Sequence, residues 1–170
     1  MTTRVLLVSG SPSASSRTGQ LLNHVAGLVH GAVSLLRLRD LPAEPLLLGH
    51  SDDPALAEAA RSVAEADVIV LATPIYKAAY TGLVKAFLDG LPQKAFAGKT
   101  VVPIATGGTQ AHLLAVDYAL RPVLSVLGAR HVTRGLFVLD TQITPLDEEL
   151  RPRLQVLADE INAVRLSAVA

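Results

Sequence analysis

No cysteine occurs in the 170-residue chain, which excludes a disulfide framework, a thiolate metal site and a cysteine nucleophile. Tryptophan is also absent, and with only three Tyr and three Phe the core must be built mainly from Val, Leu, Ile and Ala. Charge of either sign is in no surplus: 15 Lys and Arg balance 15 Asp and Glu, leaving no net field to gather nucleic acid or an anionic membrane surface. No apolar run approaches the roughly 18 residues of a membrane span. The first run breaks at Gly10, too early for the core of a signal peptide. What remains is a hydrophobic content of 50%, ample for one sizeable core. The expectation is one domain over residues 1–170, soluble and cytoplasmic, without nucleic-acid or membrane partners.

Short apolar, β-branched runs alternate with longer helical ones, which predicts an α/β domain with a parallel sheet. The predicted strands are 4–9, 32–38, 67–72, 100–105 and 131–139. Predicted helices cover 18–30, 54–66, 81–91, 110–128 and 145–167. Asp53 before Pro54 reads as an N-cap and first helical residue, and Thr144 before Pro145, with Asp147 following, repeats that pattern. Leu150, Leu154, Leu157, Ile161 and Val164 form one apolar stripe on the last helix. Residues 39–53 form the one long connection. Strict alternation with right-handed crossovers gives a doubly wound sheet of five parallel strands, order 2-1-3-4-5, with helices on both faces. Ligands of such sheets sit beyond the carboxyl ends of the strands, so the loops after strands 1, 3 and 4 are the ones to inspect.

The loop after strand 1, SGSPSASSRTGQ, fails two phosphate motifs. A Walker loop counted from Gly10 would need Gly and Lys where Ser15 and Ser16 stand, and Pro12 replaces the second Gly of a dinucleotide turn. Ser11, Ser13, Ser16 and Thr18 remain, leading into a helix whose free N–H groups can converge with the hydroxyls on one anion. That pattern suits a single terminal phosphate; an ordinary Ser-capped turn is the alternative. Arg17 either helps to neutralise the anion or is solvated.

The loop after strand 3 contains Pro74, Tyr76 and Tyr80, and the two rings either wall a flat ligand or pack beneath the loop. After strand 4, Gly107 and Gly108 let the main chain approach a ligand, flanked by the hydroxyls of Thr106 and Thr109; a plain tight turn is the alternative. Each signal is weak alone, but all three fall on one edge of the sheet. The histidines at 24, 30, 50, 112 and 131 have no metal-ligand spacing, so no metal is expected, and no Ser-His-Asp arrangement stands out. A structural hydrogen bond is the expected role of His112.

With GSPS at 10–13, TPIYKAAYTGLVKAFLD at 73–89 and ATGGTQAHLLAVDYALRPVLSVLGA at 105–129, the chain resembles the NADPH-dependent FMN reductases of the flavodoxin-like superfamily. It is most similar to those that supply reduced flavin to alkanesulfonate monooxygenases. The resemblance runs from the first strand to about residue 143. It implies that Ser11, Ser16 and Thr18, with Ser13, Gly19 and Gln20, hold the FMN phosphate. Pro74, Ile75, Tyr76 and Lys77 would border the isoalloxazine, with Thr106, Gly107, Gly108 and Thr109 closing its other side. Many relatives carry GSxR where this chain has Ser13, so the grip here falls to hydroxyls and helix N–H groups. The resemblance also implies a π-bulge at Tyr118, at a subunit interface of a homodimer or homotetramer. An ordinary amphipathic helix, kinked at Pro122, is the alternative.

The implied activity is hydride transfer from NADPH, or NADH, to FMN, with the reduced flavin passed to a partner flavin-dependent monooxygenase. In that reaction the two rings carry the chemistry and no catalytic side chain is required. The rivals are a flavin-retaining quinone or azo reductase, a flavodoxin-like electron carrier, and a binding module without flavin.

Overall fold

The computed structural model describes residues 2–50 and 52–164. Its strands are β1 (Arg4–Ser9), β2 (Ala32–Arg37), β3 (Val68–Tyr76), β4 (Ala79–Tyr80), β5 (Thr100–Gly107), β6 (His131–Val132) and β7 (Leu136–Leu139). The parallel sheet runs β2-β1-β3-β5, with β6 and β7 both on the outer side of β5. This is the predicted order, 2-1-3-4-5, with the fifth strand in two pieces. The break has a local cause. Pro103 in mid-β5 has no N–H to give to the neighbouring strand. Opposite it, Gly135 has φ +75°, and a Cβ there would stand 2.4 Å from the Pro103 carbonyl oxygen. Only glycine passes.

The helices are α1 (Arg17–Ala26), α2 (Ala43–Leu48), α3 (Pro54–Glu65), α4 (Gly82–Asp89), α5 (Arg121–Val126) and α6 (Leu150–Asn162). Alternation along β1 divides the core: Val5 and Leu7 pack with Leu21, Leu22 and Val25 of α1 and the α6 stripe, while Leu6 and Val8 face Val63, Phe87 and Leu124 from α3, α4 and α5. The stripe Leu150, Leu154, Leu157 and Ile161 is buried as predicted, with Val164 packed against it. Asp53 caps α3 by accepting from the N–H groups of Ala55 and Leu56, with Pro54 as the first helical residue. Lys99 closes the other end of α3, donating to the carbonyls of Ala64 and Ala66, both at 2.6 Å. Burial lowers its pKa below the usual lysine range, opposed by Asp67.

Three predicted segments differ. The last helix starts at Leu150, not 145: Thr144 and Pro145 are joined by a cis bond after a 3-10 turn at Asp140–Gln142. Asp147 stands ahead of the helix, its Oδ1 accepting from the Glu149 N–H at 2.7 Å. The predicted end of that helix, 165–167, lies outside the described residues. The connection 39–53 holds α2, a short helix that its many Pro and Leu residues gave no periodic signal for. The predicted helix 110–128 is three pieces: a 3-10 turn at Gln110–His112, a π-helical turn at Val116–Leu120, and α5. Among the described residues, no helix is long and apolar enough to cross a membrane.

Candidate active site

Ser16 caps α1: its Oγ accepts from the Gly19 N–H at 2.9 Å, which leaves the hydroxyl proton free for an anion. Ser11 is buried, and its Oγ accepts from the Ser13 N–H at 3.3 Å, so its proton is free as well. Just ahead of these hydroxyls the chain is held close to its neighbours, because Gly10 is wedged against the next strand. Its N–H donates to the Ala72 carbonyl at 2.7 Å, and a Cβ at Gly10 would stand 2.2 Å from Cγ2 of Val84. Thr81, the cap of α4, donates to the Gly10 carbonyl at 2.7 Å and accepts from the Val84 N–H. The loop after β1 is thereby pinned to the segment between β4 and α4.

An open cleft of about 430 Å³ lies over these groups. Ser11, Ser13, Ser16, Thr18 and Gln20 line one side, and Pro74, Tyr76 and Thr106 another. Thr18 and Thr106 are both buried on its floor and share a hydrogen bond of 2.8 Å. Four lining residues were not among those the resemblance pointed to: Ser15, Arg17, Asp140 and Thr144. Arg17 brings a cation to the wall where an Arg at position 13 is missing. Asp140 and Thr144 follow β7, and Thr144 donates to the Gln20 side chain. The signal for them was the same sheet-edge rule, which applies to the fifth strand as well as to the first, third and fourth.

The tyrosines divide. Tyr76 is 52% exposed and lines the cleft, whereas Tyr80 packs against the core beneath the loop. Tyr76 is carried there by a two-residue hairpin, since Ile75 pairs with Tyr80 and Tyr76 with Ala79. The two central residues, Lys77 and Ala78, have φ of +50° and +66°, a turn that usually takes Asn-Gly. Ile75 points into the core beside Ala105 and Phe137, so it can offer a ligand its main chain only. Gly107 lies under Phe137, its would-be Cβ 3.2 Å from Cζ of that ring. Gly108 differs: nothing lies within 4 Å of a Cβ built on it, so no atom of the chain requires a glycine there. Thr109 caps the 3-10 turn by accepting from the Ala111 N–H. Gly19, Lys77, Gly107, Gly108 and Thr109 surround the cleft without lining it in this form. The His112 ring lies 3.6 Å from the Gly107 Cβ position, and among the described residues its side chain makes no hydrogen bond of the kind expected.

Tyr118 is central in the π-helical turn and 78% exposed. The Arg121 N–H reaches back five residues to the Val116 carbonyl. The next residue, Pro122, has no N–H for the Tyr118 carbonyl and would press its ring on it in an α-helical register, so the wide turn relieves a clash. Arg121 ties this turn to the break in the fifth strand, donating to Asp117 and to the carbonyls of Val132, Thr133 and Arg134 at 3.0–3.2 Å.

Comparison with known proteins matches residues 3–144 to the family described as NADPH-dependent FMN reductase. The chain belongs to that family. An FMN reductase (NADPH) of Escherichia coli (strain K12) is 44% identical over 153 residues, covering 88% of this chain and 79% of the relative. Another, from Pseudomonas putida (strain KT2440), is 45% identical over 142 residues, covering 82% and 72%. The solved apo form of an NADH:FMN oxidoreductase (EMOB) superposes with a TM-score of 0.91 at 39% identity, covering 98% of this chain and 92% of that one.

A flavin mononucleotide fits the residues present. Hydroxyls with free protons and a helix start lie at one end of the cleft, and Pro74 and Tyr76 lie at the other. No group of three or more His, Asp or Glu suited to a metal ion occurs among the described residues.

Proposed function

We propose that the chain is an NAD(P)H:FMN oxidoreductase, NADPH-preferring, that hands reduced FMN to a separate flavin-dependent monooxygenase of the organosulfur type in the cytoplasm. One observation carries the reading. The loop after β1 and the carboxyl ends of β3 and β5 meet at a single cleft, with hydroxyls carrying free protons at one end and Pro74 and Tyr76 at the other. Bound together, the flavin and the nicotinamide supply the redox chemistry themselves. The residues bind and orient. Ser11 and Ser16 donate their free hydroxyl protons to the phosphate, aided by N–H groups of the first turn of α1 and by Arg17. Thr18 and Thr106 fix the spacing of the two loops through their shared hydrogen bond. Tyr76, on its strained hairpin, and Gly107 with Gly108 border the ring on opposite sides.

Release of the flavin is favoured by the openness of the cleft and by Ser13 at the position of the clamping arginine. The exposed side chains Leu113, Leu114, Tyr118 and Val126, clustered on and before α5, support a homodimer or homotetramer that covers them. Steady-state NADPH oxidation with added FMN tests the reading. Saturable turnover with FMN behaving as a substrate is expected, and no acceleration by FMN overturns it. Flavin retained through purification, with ping-pong turnover of quinones, would instead identify the flavin-retaining alternative.

A further inference from the structure

A second cleft, of about 210 Å³, lies behind the phosphate loop, between α1 and the edge strand β2. Ser15, Ser16 and Gln20 line both this cleft and the flavin cleft, so the two adjoin across the loop. Its outer wall has a different chemistry. In the register of β1 with β2, Leu35 stands beside Leu7 and Arg37 beside Ser9, so both side chains share the face on which α1 packs. The helix does not reach far enough to cover them: Leu35 is 38% exposed and Arg37 is exposed. Arg37 makes no ion pair among the described residues. Asn23, exposed on α1, lines the same cleft.

An aliphatic platform, a guanidinium and an amide in one cleft match the base, the phosphate and the ribose hydroxyls of an adenylate. The volume is below the roughly 300 Å³ at which a small molecule is held on its own, so the cleft suits one part of a ligand anchored next door. We infer that Arg37, Leu35 and Asn23 form an adenylate subsite adjoining the flavin phosphate cradle. The inference rests on the FMN reductase reading. A phosphate-bearing adenylate can arrive in two ways: esterified to the flavin phosphate, as in flavin adenine dinucleotide, or as the 2′-phosphorylated half of NADPH.

Arg37→Gln, with Arg37→Glu as a stronger form, separates the sources. Calorimetric binding of FMN and of flavin adenine dinucleotide is compared with steady-state KM for NADPH and NADH, after thermal unfolding has shown each variant folded. Weakening of flavin adenine dinucleotide by about tenfold in Arg37→Gln, with FMN within twofold, assigns the subsite to the dinucleotide flavin. A comparable rise in KM for NADPH but not for NADH assigns it to the nicotinamide cofactor. Equal effects on FMN and flavin adenine dinucleotide with no NADPH effect, or no effect on any of them, overturn the inference while leaving the reductase reading intact. Wild-type protein that binds no FMN removes that reading and the subsite with it.

Discussion

Thr18, in the first turn of α1, and Thr106, near the end of β5, are joined hydroxyl to hydroxyl at 2.8 Å beneath the cleft, though 88 residues apart. Both are buried, so the bond joins the start of α1 to the end of β5, which in the proposed function are the phosphate end and the ring end of the cleft. Thr18→Val or Thr106→Val alone strands one buried hydroxyl and is expected to cost about 1–2 kcal/mol in urea unfolding. The double variant strands neither and should recover about 1 kcal/mol of the summed loss. Its KM for FMN should still rise several-fold, because the loop spacing is no longer fixed. Additive single losses would show that the two hydroxyls do not interact.

Gly10 admits no side chain. Its would-be Cβ meets Cγ2 of Val84 at 2.2 Å and the Ala72 carbonyl oxygen at 3.2 Å, one movable and the other not. Gly10→Ala is expected to destabilise by about 1–3 kcal/mol through overpacking. Adding Val84→Ala removes the nearer contact only, so rescue should be partial in the same unfolding measurement. Full rescue would show that the carbonyl contact is harmless.

The strand order was legible because β1, β3 and β5 are nearly uniform apolar runs covered on both faces. The break in the fifth strand was not, since it depends on Pro103 and Gly135 meeting across a sheet whose register the sequence does not print. The same limit hid the split between Tyr76 and Tyr80: four residues apart in the chain, they part company only because a two-residue hairpin folds between them. Asp140 and Thr144 were missed for a different reason. The loop after β7 reaches the cleft through Thr144 and Gln20, a contact between residues 124 positions apart. Local patterns, by contrast, read through directly: the cap at Asp53 and the α6 stripe follow from spacing alone.

Ser16 has two tasks that substitution can separate. As the α1 cap it holds the Gly19 N–H, and in the proposed reaction it donates to the flavin phosphate. Glycine is nearly as good a cap as serine, so Ser16→Gly should lose only a few tenths of a kcal/mol. Its KM for FMN is nevertheless expected to rise by about tenfold, the worth of one charge-assisted hydrogen bond. An unchanged KM would remove Ser16 from the phosphate site. Ser16→Ala should move stability as well as KM.

Leu114 is 59% exposed next to the π-helical turn, in the patch proposed as the subunit seam. An aspartate there would be desolvated by a second copy but is harmless on a free surface. Leu114→Asp is therefore expected to shift the mass measured by light scattering towards the monomer while the unfolding midpoint of the isolated subunit stays within a few degrees. An unaltered mass would exclude this face as the seam.

The hairpin that carries Tyr76 holds Ala78 at φ +66°, a left-handed conformation that disfavours any residue with a Cβ by about 1–2 kcal/mol. Glycine would lift that strain but add freedom to the unfolded chain, so the net gain for Ala78→Gly is expected near 0.5–1 kcal/mol. For a chain of this length that is a rise of about 1–3 °C in Tm. Ala78→Val should move Tm the other way, since a β-branched residue tolerates the left-handed region least. The turn geometry that aims Tyr76 is kept in Ala78→Gly, so its KM for FMN should match wild type. A fall in Tm for Ala78→Gly would mean that the turn is not strained in solution. A changed KM at raised Tm would mean that the strain itself, and not only the position of Tyr76, sets the affinity of the cleft.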